Sequence, residues 1–423
     1  MKILTVSQLF YPDTVGGSER VIYEQSRGLV KRGHDVTVVV QRGKPGLPAE
    51  ETIDGIRVIR YGNLKLRYWL GASMTDLTAG REAIRQLLMR ESFDAVILHH
   101  PFPAAAYFKA RGGNLAPAVY VFHASVYREL AFQKKEKKRS VTQSVFGMIL
   151  GAVSTPILLR RVRSTERFAI GKCQRIVVLS DFSRRVIKET YGVDDSFITE
   201  IPGGVDLDAF RPSPSIRALR DRLKMPTDRM VFITVRRLVP RMGLEELLVA
   251  AERLFRRETN FQLYIGGTGP ERERLMRLAR KLGIQRFVTF LGFVEARALP
   301  DYYAAADLFV LPTVAFEGFG IATLEAMASG TPVLATPVGA SPELVTQLDP
   351  TLIVADTSPD SLAAGLRDFM ARPREAREEL RRKARRVAET VYPWSRCIDS
   401  LENELISLAS MGGDKPVASR GNI

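Results

Sequence analysis

Short runs rich in Val, Ile and Leu alternate along this chain with longer segments whose apolar residues recur every three or four positions. The runs have strand length and the longer segments have the period of amphipathic helices, which together predict parallel α/β structure. In the first half the pattern predicts strands at Ile3–Ser7, Val36–Val40, Val58–Tyr61, Ala95–Leu98, Val119–Phe122 and Arg175–Leu179, with helices such as Glu19–Lys31 and Met74–Arg90 between them. The stretch ITEIPGGVDLDAFRP, Ile198–Pro212, reads as a strand end followed by a Pro/Gly turn, the composition of a linker. The alternation then restarts. Strands are predicted at Val231–Val235, Gln262–Ile265, Val288–Leu291, Leu308–Leu311 and Pro332–Ala335, with helices at Leu244–Phe255, Glu271–Leu282, Ala298–Ala305 and Ala322–Ala328. Charged helix follows from Ser358 to Ser410, and the closing MGGDKPVASRGNI reads as a disordered tail.

Two successive βα arrays predict two Rossmann-like, doubly wound domains facing an interdomain cleft. The length of 423 residues agrees, since one core seldom grows that large. The expected boundaries are 1–201 for the first domain, 202–212 for the linker and 213–390 for the second domain. A helix at 391–410 is expected to pack back toward the first domain, with the tail at 411–423. Open sheets bind ligands beyond the carboxyl ends of their strands, so the cleft is the expected site.

Composition changes this picture little. A hydrophobic content of 45% with 26% charged residues fits a globular protein. Cys173 and Cys397 match no metal-ligand spacing and read as two reduced core thiols, which suit a cytoplasmic address. MKILTVSQLFYPD has no long apolar core or small-residue cleavage site and reads as a first strand. Charge is more informative. Of the net +15, an excess of eleven falls between Arg128 and Lys188, where 15 lysines and arginines meet 4 acidic residues. Within it, KKEKKRS (Lys134–Ser140) precedes nineteen uncharged residues, Val141–Leu159, and then RRVR. That length approaches a membrane span, but Thr142, Gln143, Ser144, Gly151, Ser154, Thr155 and Pro156 make it too polar and kinked. Val141, Val145, Met148, Ile149, Ala152 and Val153 fall on one helical face, as in an interfacial amphipathic helix, while a helix pair with a solvated basic face is the plainer alternative. Nucleic acid is excluded as a partner, because no aromatic residues interleave the basic ones.

The strongest chemical signal is FEGFGIATLEAMASGTPVLAT, Phe316–Thr336. Glu317 and Glu325 are separated by seven residues across a turn that opens a helix. Gly320 lets backbone approach a ligand, and the N–H groups of Ile321 and Ala322 at the helix N-terminus suit a diphosphate. One carboxylate before the turn can hold sugar hydroxyls and one further on can hold ribose hydroxyls, each charge-assisted bond contributing about 1.5–3 kcal/mol. This segment resembles family 4 of the retaining glycosyltransferases, which have the GT-B fold. The resemblance covers the glutamate spacing, the Phe319–Gly320 pair between them, the EAMASG helix and the following PV strand, and it extends over nearly the whole chain.

The resemblance implies a sugar-side role for Glu317 and a ribose-side role for Glu325. It also implies a diphosphate grip in TVRRLVPRMG, where the family pattern is G-R-L-x-x-x-K-G. Aligned on Gly243, Arg237 matches the arginine, but Met242 stands at the lysine position and cannot bind an anion. Either Arg241 substitutes, or Arg236 and Arg241 form the working pair in an altered loop. YPDTVGGSERV resembles the family's first loop, whose glycines, Gly16 and Gly17, allow close approach to phosphate or acceptor. AVYVFHAS places His123 at a strand end, matching the family's histidine beside the donor sugar, where it hydrogen-bonds or polarises a hydroxyl. His99 and His100 lie at another strand end, with packing as the alternative to a site role. GGTGPERERL, from Gly266, lacks the full dinucleotide fingerprint and resembles a loop near the donor. FLGFV, ending at Val294, resembles the segment whose backbone reads the base. Asp206 and Asp208 form a D-x-D within the linker, and no metal site is expected there, because cations and helix dipoles take over the charge.

The resulting expectation is a metal-independent retaining glycosyltransferase without a cofactor, its UDP- or GDP-sugar being a substrate. The first domain would bind a glycan or lipid-linked acceptor and the second the donor. A cytoplasmic address is expected, peripheral at an anionic membrane surface. A nucleotide-sugar epimerase of the same fold and a non-catalytic sugar-nucleotide-binding protein are the alternatives.

Overall fold

The computed structural model describes residues 1–14, 16–62, 72–110, 115–140 and 145–410. The chain divides into two compact units. The first comprises Met1–Gly203 with the C-terminal helix Trp394–Ser410, and the second comprises Gly204–Pro393.

The first unit holds β1 (Lys2–Ser7), β2 (Asp35–Gln41), β3 (Glu50–Ile53), β4 (Ile56–Tyr61), β5 (Ala95–His99), β6 (Ala118–Phe122), β7 (Arg175–Val178) and β8 (Ile198–Glu200). They form one sheet in the order β3-β4-β2-β1-β5-β6-β7-β8. β5 and β6 are buried along their whole length, as near-continuous apolar runs in parallel sheets are when helices cover both faces. The antiparallel edge strand β3 departs from the all-parallel expectation. It pairs with β4 through a two-residue turn, Asp54–Gly55, with both residues at positive φ, the Asp-Gly signature of a tight hairpin.

The helix Gly17–Lys31 follows β1, and the C-terminal helix packs on it. A Cβ on Gly28 would lie 2.5 Å from the Ile398 side chain, so the two helices touch where Gly28 leaves room. Arg32 pairs with Asp399 and Glu402, and His34 Nε2 lies 2.7 Å from Glu402.

The second unit holds β9 (Met230–Val235), β10 (Phe261–Gly266), β11 (Val288–Gly292), β12 (Leu308–Leu311) and β13 (Val333–Ala335), in the order β11-β10-β9-β12-β13 with every pair parallel. Each sheet winds one way and then the other, and the reversal falls between β1 and β5 in the first unit and between β9 and β12 in the second. At such switch points the flanking loops part and leave a crevice at the carboxyl ends of the strands. This is the fold class expected from the sequence, two Rossmann-like α/β domains of GT-B type.

The basic region forms the helices Val126–Ser140 and Val145–Lys172, the second running through Pro156. Residues 141–144 and the side chains of 134–155 lie outside the described residues, as does the tail from 411. The proposed apolar face from Val141 to Val153 therefore falls outside them too. Beyond it, Glu166 is fully buried and accepts hydrogen bonds from the backbone N–H groups of Val126 (3.1 Å) and Tyr127 (3.2 Å), fastening the start of one helix to the other. Among the described residues no helix is long and apolar enough to cross a membrane.

Candidate active site

In the second unit the loops leaving β9, β10 and β11 are joined by backbone hydrogen bonds. Arg236 N–H donates to Gly266 (3.0 Å), Leu238 N–H to Thr268 (2.9 Å) and Gly267 N–H to Gly292 (2.6 Å). Across the switch point, the loop leaving β12 carries Thr313 and Glu317. The Arg236 guanidinium reaches over to it, donating through Nη1 to Thr313 Oγ1 and through Nη2 to Glu317 Oε2. Thr313 Oγ1 donates to the same carboxylate oxygen at 3.0 Å. The two charged side chains are only 6% and 12% exposed. Burial draws the guanidinium below its ordinary pKa, the Glu317 charge draws it back up, and nearby Arg241 opposes its charge again. An arginine remains charged throughout this range. The cluster is thus an ion pair at the carboxyl ends of β9 and β12, with a second cation beside it.

The glutamate loop is held from both sides. Arg241 Nη1 donates to the carbonyl of Phe316 at 2.9 Å, and Ala340 N–H donates to the carbonyl of Glu317 at 2.9 Å. Phe316 itself sits at φ +57°, a left-handed conformation uncommon for a bulky residue, and these two bonds hold it there. Gly243 and Gly339 must be glycine for the same packing. A Cβ on Gly243 would meet the Pro312 carbonyl oxygen at 1.7 Å, and one on Gly339 would meet that of Glu317 at 2.1 Å, both at positive φ.

Gly320, at φ +97°, starts the helix Ile321–Ala328. The first helical residues, Ile321 and Ala322, are partly exposed, and their N–H groups belong to the unpaired donors of a helix N-terminus. Thr323 adds a buried hydroxyl with no hydrogen-bond partner among the described residues. Glu325, one turn on, accepts from the buried hydroxyl of Tyr303, whose pKa is raised well above the ordinary value by burial and then by the Glu325 charge. The Phe319 side chain is buried edge-on against Tyr392 at 6.0 Å, so its contribution to a ligand would come from backbone. Gly266 ends β10 with room for little else, a Cβ there lying 3.0 Å from the Val294 side chain.

In the first unit, three histidines gather at the other switch point. His99 ends β5 and is fully buried, His100 follows at φ +67°, and His123 follows β6 and is partly exposed. His99 Nδ1 lies 3.0 Å from His123 Nε2, and the rings stack with centroids 5.2 Å apart. His100 stacks on His123 at 5.6 Å, and its Nδ1 lies 3.3 Å from Ser7 Oγ. Burial pushes all three toward the neutral form, His123 down to about 3. On the adjacent loop Gly16 precedes the helix Gly17–Lys31. A Cβ there would lie 2.4 Å from Glu19 Oε2, while one on Gly17 would meet nothing within 4 Å.

The structure thus brings together Arg241, Glu317 and the helix start in one unit, and His99, His100 and His123 in the other. Arg237 is exposed, and it is its neighbour Arg236 that occupies the buried cation position beside Glu317. Met242 is a core side chain, 7% exposed. Thr313 and Tyr303 escaped sequence reasoning, and nothing in their local pattern marks them. Asp206 of the D-x-D accepts from the backbone N–H groups of Asp208 (3.2 Å) and Ala209 (3.0 Å), the role of a turn residue. Among the described residues no three His, Cys, Asp or Glu side chains are grouped to hold a metal ion.

Comparison with known proteins agrees with this geometry. Residues 15–209 match the model of glycosyltransferase family 4, and residues 215–387 that of glycosyl transferases group 1. The chain is 31% identical over 316 residues to a GDP-mannose-dependent alpha-(1-6)-phosphatidylinositol monomannoside mannosyltransferase from Mycolicibacterium smegmatis, covering 73% of this chain and 80% of that protein. It is 29% identical over 403 residues to a D-inositol 3-phosphate glycosyltransferase from Geodermatophilus obscurus, covering 91% and 83%. Among solved structures, sucrose-phosphate synthase from Thermosynechococcus elongatus superposes with a TM-score of 0.81 at 20% identity, over 97% of this chain and 99% of that one. The conserved architecture and the matched sequence over both units lead to one conclusion: the chain belongs to the family 4 glycosyltransferases of the GT-B fold class.

Proposed function

We propose that this glycosyltransferase moves a sugar from a nucleoside-diphosphate sugar to a lipid-linked or glycan acceptor with retention of anomeric configuration. The observation that carries the reading is the Arg236–Thr313–Glu317 cluster at the second switch point, next to a helix start with free N–H groups. Cations and helix N–H groups stabilise a diphosphate, and the charge on that group grows as the sugar–phosphate bond breaks. Arg236, Arg237 and Arg241 take the place a metal would fill. Glu317 holds sugar hydroxyls and Glu325 the ribose. The backbones of Gly266, Val294, Phe319, Gly320, Ile321 and Ala322 line the donor. In the first unit, Gly16 and Gly17 admit the acceptor or phosphate, and His123 hydrogen-bonds the sugar.

On this reading the acceptor oxygen attacks the face from which the diphosphate leaves, and its proton passes to a departing phosphate oxygen. The protein's contribution is positioning and charge stabilisation. The relatives' names make a GDP-sugar the first donor to try, GDP-mannose above all, and an inositol-bearing lipid the first acceptor.

A thermal-shift screen of GDP-, UDP- and ADP-sugars tests the donor, and transfer from the stabilising sugar, with the anomeric coupling of the product read by NMR, tests the reaction. An inverted product refutes retention. Turnover of a nucleotide sugar with no acceptor present would favour the epimerase instead.

A further inference from the structure

We infer that His99 is a positioning residue that fixes the tautomer of His123, so that His123 presents an N–H from Nδ1 to an oxygen of the substrate. The inference rests on the transferase reading above for what His123 touches. The tautomer itself rests on geometry alone.

His99 Nδ1 and His123 Nε2 are 3.0 Å apart, and a hydrogen bond between two ring nitrogens requires one hydrogen and one lone pair. His99 is fully buried and His123 partly so, with His99 and His100 both stacked on the His123 ring, so a neutral pair is the stable state, since a charge on any ring would face two others. Ser7 Oγ, the Glu19 carboxylate and the backbone N–H of Gln8, 3.5 Å from His100 Nδ1, are further polar groups there, and all three face His100. Two neutral arrangements exist. If His123 donates from Nε2, then His99 carries its hydrogen on its own Nε2. That atom is buried and has no partner among the described residues, so a donor would be stranded. If His99 donates from Nδ1, the stranded atom bears only a lone pair. Among buried backbone groups an orphaned N–H is rarer than an under-satisfied acceptor, and the same difference in desolvation applies to a ring N–H against a ring lone pair. The second arrangement is therefore favoured. It leaves His123 with its hydrogen on Nδ1, a nitrogen for which the described residues supply no partner, on a partly exposed ring at the end of β6.

The consequence is chemical. With Nε2 engaged and Nδ1 protonated, neutral His123 has no lone pair to offer and cannot act as a base toward the acceptor. It is a hydrogen-bond donor, and the acceptor proton must leave by another route.

The test uses the full chain labelled with nitrogen-15 at histidine. Two-bond proton–nitrogen correlations at neutral pH report the tautomer of each ring, and His123→Gln identifies the His123 signals by their loss. Hydrogen on Nδ1 of His123 is expected, and hydrogen on Nε2 would overturn the inference. A second arm compares His99→Asn, whose amide can donate from about the position of Nδ1, with His99→Leu, which cannot donate. His99→Leu should lower kcat by about tenfold, the worth of one oriented hydrogen bond, with donor KM unchanged, and His99→Asn should recover most of it. Equal kcat in both variants, or a loss that follows melting temperature alone, would also overturn it. Were the wild type to show no transfer at all, the transferase reading would fail by itself, and the tautomer measurement would still decide the role of His99.

Discussion

Arg236 and Glu317 are buried together, so removing either leaves the other as an uncompensated charge. A loss of about 3–5 kcal/mol is typical for that lesion, on the order of ten degrees in melting temperature for a unit of this size. Arg236→Ala is accordingly expected to lower stability and abolish transfer. The double variant Arg236→Met with Glu317→Leu should regain most of the stability while remaining inactive, because paired apolar groups remove the desolvation cost but supply no charge. Differential scanning calorimetry beside an activity assay separates the two effects. Loss of stability equal to the single variant would show that the pair does more than neutralise itself. The two glutamates should behave differently from each other. Glu325→Ala removes a ribose contact made in both ground and transition states, so donor affinity should fall by about tenfold or more with kcat little changed. Glu317→Ala should depress kcat more than donor KM, and normal turnover there would refute its sugar-side role. The glutamates were legible because their spacing and the glycine turn form one contiguous pattern. The cation beside them was not settled by pattern, because Arg236 and Arg237 are neighbours and only the direction of the β9 exit decides which one points inward. Thr313 and Tyr303 were invisible, since a threonine at a strand end and a tyrosine in a helix are ordinary residues until the fold sets them against a glutamate.

At the scale of elements, strands were legible wherever both faces are covered, because such strands read as continuous apolar runs. β3 was missed because EETI offers a single large apolar residue and owes its place to the Asp54–Gly55 turn. The ends of β1, β5 and β6 also carry a measurable electrostatic property. His123 is held neutral to about pH 3 by burial and then by His100, against about 6.5 when unfolded. Unfolding therefore takes up a proton as the pH falls below about 6.5, so this stability is fully present above that value and is lost between there and about pH 3. His99 and His100 shift in the same direction. Each such ring can cost up to about 1.4 kcal/mol per pH unit in that window. The denaturant midpoint of the wild type should thus drop between pH 7.5 and pH 5, and His123→Gln should flatten the drop. An unchanged wild-type midpoint would mean that none of the three rings is held neutral in the folded protein.

For the whole molecule, the uneven charge is the property that the motifs do not use. An excess of eleven positive charges lies between Arg128 and Lys188, inside the unit proposed to hold the acceptor. On the helix Val145–Lys172, Arg160, Arg161, Arg163 and Arg167 are exposed, and Ile157 beside them is 65% exposed. Basic and apolar groups standing together in solvent suit an anionic lipid surface, where each basic residue contributes about 1 kcal/mol and the attraction decays within a Debye length of about 10 Å at 0.1 M salt. A lipid-linked acceptor would place the enzyme at such a surface. Co-sedimentation with vesicles of neutral lipid, with and without 30% anionic lipid, over a salt series measures the effect. Binding should rise with the anionic fraction, fall as salt is added, and keep a salt-resistant part from inserted apolar side chains. Neutralising Lys134, Lys135, Lys137, Lys138 and Arg139 together should remove much of the salt-sensitive part and leave donor binding intact, since donor binding is proposed to lie in the other unit. No sedimentation with anionic vesicles at low salt would refute membrane attachment, and the basic surface would then serve solubility alone.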